Sequence, residues 1–301
     1  MRIAIVSTSY PRHEDDPSGH FVRAHARQLE QAGHDVVVVT PRAGGAFGWP
    51  GVAARLRERP LRSISAAAWV ARSRATLTRM NIDRVVANWA VPCAWPIGVA
   101  ARAELEVVSH GGDVRLLAAL PRAGSRRIVR AIASRSRMWR FVSTTLLDEL
   151  LGVLDRRTRS LVERISLIEA PALDLPDLGQ AVARRRAEFA GQRVAVSVGR
   201  LVPGKRVDRA IDHFRSRPDL DVLYVVGDGP ERARLERAAH RHRADVRFVG
   251  EVGRRDALIW IGAADLLIHA SRAEGLSTVL REAEALGTPV VQVEGRPTRV
   301  P

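Results

Sequence analysis

Two successions of short β-branched runs, each separated by a helical or glycine-containing segment, constrain this chain more than any other feature. Residues 2–7 (RIAIVS) open the first succession, and a polar loop rich in Pro, Asp, Ser and Gly follows from Tyr10 to Gly19. Residues 21–32 carry helical spacing that stops at Gly33, and residues 35–40 (DVVVVT) are an unbroken apolar strand closed by Pro41. Strand, helix and strand in that order make a βαβ unit. Further strands are expected at residues 84–87, 105–109 and 140–143. Runs this apolar, with no polar alternation, belong to a parallel sheet covered on both faces.

The regular alternation breaks at residues 171–176 (PALDLP) and then restarts. Strands are expected at residues 194–198, 222–226, 246–249, 266–269 and 289–293, with helices from Val207 and from Glu231. The fold class is therefore α/β with two Rossmann-like domains, 1–170 and 171–301. With 301 residues and 46% hydrophobic content, each half can bury its own core. Two such domains are expected to face each other across a cleft at the carboxyl ends of both sheets, with the ligand inside it.

The net charge of +15 is concentrated in the first half, with 26 basic against 15 acidic residues up to Ala172 and 22 against 18 beyond it. A surface of this kind attracts polyanions, whether anionic lipid, nucleic acid or nucleotide-linked substrates. Nucleic acid is not expected as a partner, because aromatic residues make up only 5% of the chain and no stacking platform accompanies the charge. The single cysteine, Cys93, excludes an intrachain disulfide and suits a reducing compartment. Residues 1–7 are too short an apolar run for a secretory leader, and no apolar stretch of about 18 residues appears. A cytoplasmic protein is expected.

Only one of the 48 basic side chains is a lysine, Lys205. It sits in residues 198–205 (VGRLVPGK), a strand end followed by a glycine-containing loop and then a helix. Such a loop brings backbone N–H groups and a helix dipole towards phosphate oxygens, and Arg200 and Lys205 add full charges for a diphosphate. An ordinary basic loop would read the same way in isolation. Residues 265–289 (DLLIHASRAEGLSTVLREAEALGTP) run from a buried strand through a short loop into a helix from about Ser277. Glu274 in the loop and Glu282 in the helix are acceptors suited to sugar and ribose hydroxyls, while Gly275, Leu276 and Ser277 offer N–H groups. A solvated pair of glutamates is the bland alternative.

The conjunction of these segments decides between the readings. Gly-Arg-Leu-x-Pro-x-Lys, then Val226-Gly-Asp-Gly-Pro230, then Phe248-Val249-Gly250, then Ser271-x-x-Glu-Gly-Leu with a second glutamate and a closing Gly-Thr-Pro-Val-Val, resemble glycosyltransferase family 4 in order and spacing. The early glycine, the Gly33-His-Asp-Val segment and His110-Gly-Gly-Asp113 extend the resemblance over essentially the whole chain. It implies a GT-B fold and retaining, metal-independent transfer of a sugar from a nucleotide-diphosphate donor, with no cofactor. It further implies that Arg200 and Lys205 contact the diphosphate, Glu282 the ribose, Glu274 the transferred sugar, and the backbone of Phe248, Val249, Gly250 and Glu251 the base. Gly19 would lie near the diphosphate, and His110 at the reaction centre with its backbone or ring close to the sugar, so that His110 and Glu274 are the catalytic candidates. No metal site is expected: His110 and Asp113 are not joined by further ligands at metal spacing and read as loop-stabilising groups.

Family members normally continue beyond Gly-Thr-Pro-Val-Val with a further strand and C-terminal helices, so the second domain is expected to be shortened. The acceptor is left open between a glycan, a lipid-linked sugar and a small molecule. Between Arg122 and Arg140, Arg126, Arg127, Arg130, Arg135 and Arg137 are interleaved with Ile128, Val129, Ile132, Met138 and Trp139. On a helix this gives a basic face beside an apolar one, suited to docking on the inner face of an anionic membrane; a solvated arginine-rich face is the alternative. A nucleotide-sugar binding protein or an epimerase without transferase turnover is the competing function. A dinucleotide oxidoreductase is disfavoured, since no G-x-G-x-x-G turn is followed by a strand-end acid.

Overall fold

The β-branched runs of the first half become the strands of one parallel sheet, and those of the second half become another. The computed structural model describes residues 1–16, 18–42, 44–47, 52–171, 173–241, 244–271 and 276–293. The chain divides into two units, Met1–Ala172 and Leu173–Pro301.

Unit 1 contains β1 (Arg2–Val6), α1 (His20–Gln31), β2 (Asp35–Val39), α2 (Val52–Glu58), α3 (Arg62–Arg79) and β3 (Arg84–Asn88). An irregular helical segment, Ala90–Ile97, leads on to β4 (Glu104–Ser109), α4 (Gly112–Ala119), α5 (Arg122–Ala133), β5 (Ser136–Phe141), α6 (Thr144–Leu151), α7 (Arg156–Ile165) and β6 (Ser166–Ile168). The strand order is β2-β1-β3-β4-β5-β6, with every neighbouring pair parallel. Ile3, Ala4, Ile5 and Val6 are all fully buried, as a strand covered on both faces requires. On α1, Val22, Ala26 and Leu29 recur at helical spacing and pack on Ile3, Ile5 and Val86. At the other end of the unit, the Asp155 carboxylate caps α7 by accepting the Thr158 N–H at 3.0 Å.

Unit 2 contains α8 (Gly179–Glu188), β7 (Val194–Val198), α9 (Val207–Arg215), β8 (Val222–Val226), α10 (Arg232–Arg241) and β9 (Val246–Gly250). It ends with α11 (Arg254–Ala263), β10 (Leu266–His269), α12 (Thr278–Ala285) and β11 (Val290–Gln292). Its sheet is parallel, with the order β11-β10-β7-β8-β9. Val207, Ala210, Ile211 and Phe214 form the buried stripe of α9 against Leu223, Val225 and Ile268, while Trp260, Ile261 and Ala283 cover the opposite face.

Residues 122–140 are not one amphipathic helix. They form α5, a turn and the interior strand β5. Val129, Ile132 and Trp139 are fully buried, each side chain worth about 1.5–3 kcal/mol inside the core, so this apolar face is turned into the protein. The arginines are engaged as well. Arg126 and Arg130 approach Asp155 at 3.6 and 3.9 Å, Arg137 approaches Glu104 at 3.1 Å, and Arg140 reaches the buried Glu106 at 2.8 Å. The strand expected at residues 140–143 accordingly starts earlier, at Ser136, and β6 is a further strand that the apolar pattern did not announce.

Candidate functional site

In a parallel sheet, ligands bind beyond the carboxyl ends of the strands where the order of winding reverses. In unit 2 that point lies between β7 and β10: the chain winds from β7 to β8 and β9, then returns to place β10 on the other side of β7. The loops that leave β7 and β10 carry Arg200, Lys205, Leu276 and Ser277 of the expected donor residues.

The β7 loop is held by backbone. Gly199 N–H donates to Val226 O at 2.9 Å, Leu201 N–H to Asp228 O at 2.8 Å, Glu231 N–H to Leu201 O at 3.0 Å, and Gly227 N–H to Gly250 O at 2.8 Å. A Cβ on Gly227 would lie 2.1 Å from Gly199 O, and one on Gly229 would lie 2.4 Å from Leu201 O. The glycines of three separate motifs therefore stack on one another, and only bare backbone allows that approach. Leu201, buried beneath, anchors the loop in the core. The short turn Pro203–Lys205 ends at Arg206, which takes a left-handed φ of 49° as α9 begins.

Burial, and then the neighbouring Arg200 charge, pull the Lys205 ammonium down to about 8. Burial also lowers Arg200. His269, the last residue of β10, is brought to about 4 by burial and by the Lys205 charge, which leaves it neutral at pH 7. Two partly desolvated cations thus lie beside a neutral imidazole, an arrangement suited to an anion. Ser271 Oγ donates to Gly204 O at 3.4 Å, tying the β10 loop to the Lys205 turn. Leu276 is half-buried; Ser277 precedes α12, and its buried hydroxyl has no hydrogen-bond partner among the described residues. Glu274 and Gly275 lie outside the described residues.

Glu282, on α12, is buried, and burial raises its carboxyl above the usual range while Arg254 opposes the shift. Arg254 Nη2 approaches Glu282 Oε1 at 3.2 Å and donates to Asp174 O at 2.7 Å. The guanidinium thereby fixes the carboxylate and joins it to the segment preceding α8. Phe248 and Val249 on β9 pack against opposite faces of the sheet, and Gly250 ends the strand with a φ of 91°.

In unit 1, winding reverses between β1 and β3. Gly19, before α1, has a φ of 69°, and a Cβ there would meet Ser9 O at 2.3 Å. The glycine lets the loop fold back on the end of β1. His110 follows β4; its Nε2 lies 3.0 Å from Asn88 Oδ1, and its ring packs against Phe21 and Trp89 at centroid distances of 4.6 and 5.0 Å. Burial holds the imidazole near 4, so it is uncharged at pH 7. Asn88 Oδ1 accepts from Nε2–H in that tautomer, which makes Nδ1 the acceptor nitrogen. The Asn88 Nδ2 is buried and has no hydrogen-bond partner among the described residues.

Asp113 organises this corner. Its carboxylate accepts the Ala90 N–H and the Ser109 hydroxyl, each at 2.7 Å, the Gly111 N–H at 3.1 Å and the His110 N–H at 3.3 Å. Trp139 Nε1 donates to the same Ser109 hydroxyl at 2.9 Å. Four donors account for the buried charge as a loop-holding group. Among the described residues, no cluster of three or more His, Cys, Asp or Glu side chains is arranged to hold a metal ion.

The sequence reading did not single out Arg254, His269, Asn88, Phe21 or Trp89. His269 and Asn88 carried a local signal, since each is a polar residue ending an apolar run at a sheet's carboxyl edge. Arg254 carried none, because its partner is 28 residues away.

Residues 181–299 match the family model described as Glycosyl transferases group 1. A teichuronic acid biosynthesis protein of Bacillus subtilis (strain 168), TuaC, assigned as a glycosyltransferase, is 27% identical over 214 residues, covering 69% of this chain and 52% of the relative. A GDP-mannose-dependent monoacylated α-(1-6)-phosphatidylinositol monomannoside mannosyltransferase of Corynebacterium glutamicum is 27% identical over 228 residues, 70% of this chain and 58% of the relative. The chain thus spans little more than half the length of these relatives. The structure of Anabaena Alr3699/HepE in complex with UDP-glucose superposes with a TM-score of 0.69 at 19% identity, covering 97% of this chain and 80% of the other. The two parallel sheets match the GT-B fold of that structure, and the match to the group 1 model falls within the second unit.

Proposed function

We propose that this chain is a glycosyltransferase that moves a sugar from a nucleotide-diphosphate donor to an acceptor, with retention of anomeric configuration and without a metal. The observation that carries the reading is the Arg200–Lys205 cation pair on a glycine-stacked loop at the winding reversal of unit 2, inside the segment that matches the group 1 model. Departure of a nucleoside diphosphate leaves negative charge on its terminal phosphate. Preorganised cations in a desolvated site stabilise that charge without reorganising at the moment of transfer. Arg200 offers a planar fork, Lys205 a point charge, and the N-terminus of α12 adds its dipole. Together they supply the positive potential that a divalent ion provides in other diphosphate sites.

In this reading Glu282, oriented by Arg254, accepts ribose hydroxyls, and the backbone of Phe248, Val249 and Gly250 meets the base. Gly19 lies by the diphosphate, Gly275, Leu276 and Ser277 contribute N–H groups, and Glu274 anchors the transferred sugar. His110, uncharged and with its Nε2–H held by Asn88, accepts a hydrogen bond from a sugar hydroxyl at Nδ1. Among the described residues no helix is long and apolar enough to cross a membrane. A peripheral position on a membrane is part of the proposal, since the mannosyltransferase relative is named for a phosphatidylinositol-linked acceptor.

The test is product analysis with radiolabelled UDP- and GDP-sugars and a total lipid and glycan extract as acceptor. Label should appear in a product with the donor's anomeric configuration, at an EDTA-insensitive rate, and be lost in Lys205→Ala. Hydrolysis or epimerisation alone would favour the competing reading, and a rate that requires added Mg²⁺ or Mn²⁺ would sink the metal-free one.

A further inference from the structure

Unit 1 contains a pocket of about 730 Å³ between the segment following β2 and the start of α3. Arg42, Arg59, Arg62 and Arg72 line it, together with Phe47 and Trp69, and among the described residues none that lines it is acidic. Arg62 pairs with Glu58 at 2.8 Å, which leaves an excess of at least three positive charges around one cavity. The floor is aromatic, with the Phe47 and Trp69 rings in edge contact at 5.0 Å between centroids. Trp69 is 6% exposed, and its buried indole N–H has no hydrogen-bond partner among the described residues. A buried donor without an acceptor carries a desolvation penalty that a ligand oxygen relieves.

The rim has the opposite character. Leu61, which also lines the pocket, is 79% exposed, and Ile64 is 66% exposed at the start of α3. These are the two most exposed large apolar side chains among the described residues. Exposed arginines lining the cavity, an unmet buried N–H, and the exposed aliphatic side chains of Leu61 and, three residues on, Ile64 are complementary to a molecule with an anionic oxygen-rich head and an alkyl chain.

We infer that this pocket binds the phosphoryl head of an amphiphile, whose alkyl chain lies over Leu61 and Ile64. The planar forks of Arg42, Arg59 and Arg72 take the phosphoryl oxygens, Trp69 Nε1 donates to one of them, and the chain covers the apolar rim. The ligand is the acceptor only if the transferase reading holds; the binding site stands apart from it. It also places lipid contact at α2 and α3 rather than at residues 122–140.

The test is isothermal titration with octyl phosphate, inorganic phosphate and octyl glucoside, all below micelle formation. It is run in a Lys205→Ala background so that the unit 2 cations do not contribute. Octyl phosphate is expected to bind at least about tenfold more tightly than either control. Arg42→Ser with Arg72→Ser should remove at least about tenfold of that affinity, and Trp69→Phe, which keeps the ring packing, several-fold, with the melting temperature unchanged. Equal binding of octyl glucoside, equal binding of inorganic phosphate, or affinity unmoved by both sets of substitutions overturns the inference. UDP binding by the chain with Lys205 intact, measured in parallel, reports on the donor site alone, so the two proposals fail separately.

Discussion

The Lys205 ammonium makes a prediction about pH. Burial and the Arg200 charge bring it from its ordinary value of 10.5 to about 8, because the fold holds two cations together in poorly solvated surroundings. A bound diphosphate adds negative charge beside the ammonium and raises it again, so binding takes up a proton wherever Lys205 is neutral before the nucleotide binds. Below pH 8 there is little proton to take up, and affinity is flat. Above it, affinity falls by up to a factor of ten per pH unit until the bound-state value is reached. Between pH 7 and pH 9 the dissociation constant for UDP should rise about tenfold, or about 1.4 kcal/mol. Isothermal titration at the two pH values measures this, with Lys205→Arg as the control. Arginine keeps its charge throughout, and any ionisation of the nucleotide is common to both proteins. Equal pH dependence in the wild type and Lys205→Arg would refute the placement of the diphosphate on Lys205.

The same burial acts on stability with a defined sign. The folded-state value is depressed, so the unfolded chain binds more protons between about pH 8 and 10.5, and stability rises with pH across that window. Lys205→Met should therefore raise the melting temperature at pH 7, by the equivalent of up to about 3 kcal/mol, while abolishing UDP binding; a lowered melting temperature would contradict the burial argument. Arg254→Ala leaves the Glu282 carboxylate buried without its guanidinium and should cost about 3–5 kcal/mol, largely recovered in Arg254→Ala with Glu282→Leu. Urea unfolding of the three proteins checks this, and no recovery in the double variant would count against it. Gly227→Ala places a methyl group against Gly199 O and should cost about 1–3 kcal/mol and weaken UDP binding, read by thermal shift with and without nucleotide. His110 titrates near 4, so kcat/KM should show no inflection from this group between pH 5.5 and 7.5; an inflection there that disappears in His110→Asn would show a charged imidazole instead.

The parallel sheets were legible because their strands are buried on both faces, so runs such as residues 35–39 and 222–226 need no partner to be recognised. Of β5 only the end was, as the strand expected at residues 140–143, because Arg137 and Arg140 make its start look like a basic helix. Their compensation by Glu104, Glu106 and Glu169 lies on neighbouring strands and involves separations of about thirty residues, which no local pattern reports. The loop around Lys205 stood out because a lone lysine in an arginine-rich chain marks itself. Its rigidity did not stand out, since the stacking of Gly199 with Gly227 and of Leu201 with Gly229 joins segments that read as separate motifs. Asp113 was legible as a loop-stabilising group, but not as the acceptor of four hydrogen bonds. The arginine pocket of unit 1 was invisible for a simpler reason: its walls combine residues 41–42 and 44–47 with residues from Arg59 to Arg72, and neither part is periodic in charge.

The central claim is that unit 2 grips a nucleoside diphosphate through its β7 loop and α12. A crystal structure of the chain with UDP or GDP tests it most directly. It should show phosphate oxygens within hydrogen-bonding distance of Lys205 Nζ and the Arg200 guanidinium, with the ribose on Glu282. A nucleotide seated with its phosphates away from Lys205 would contradict the account.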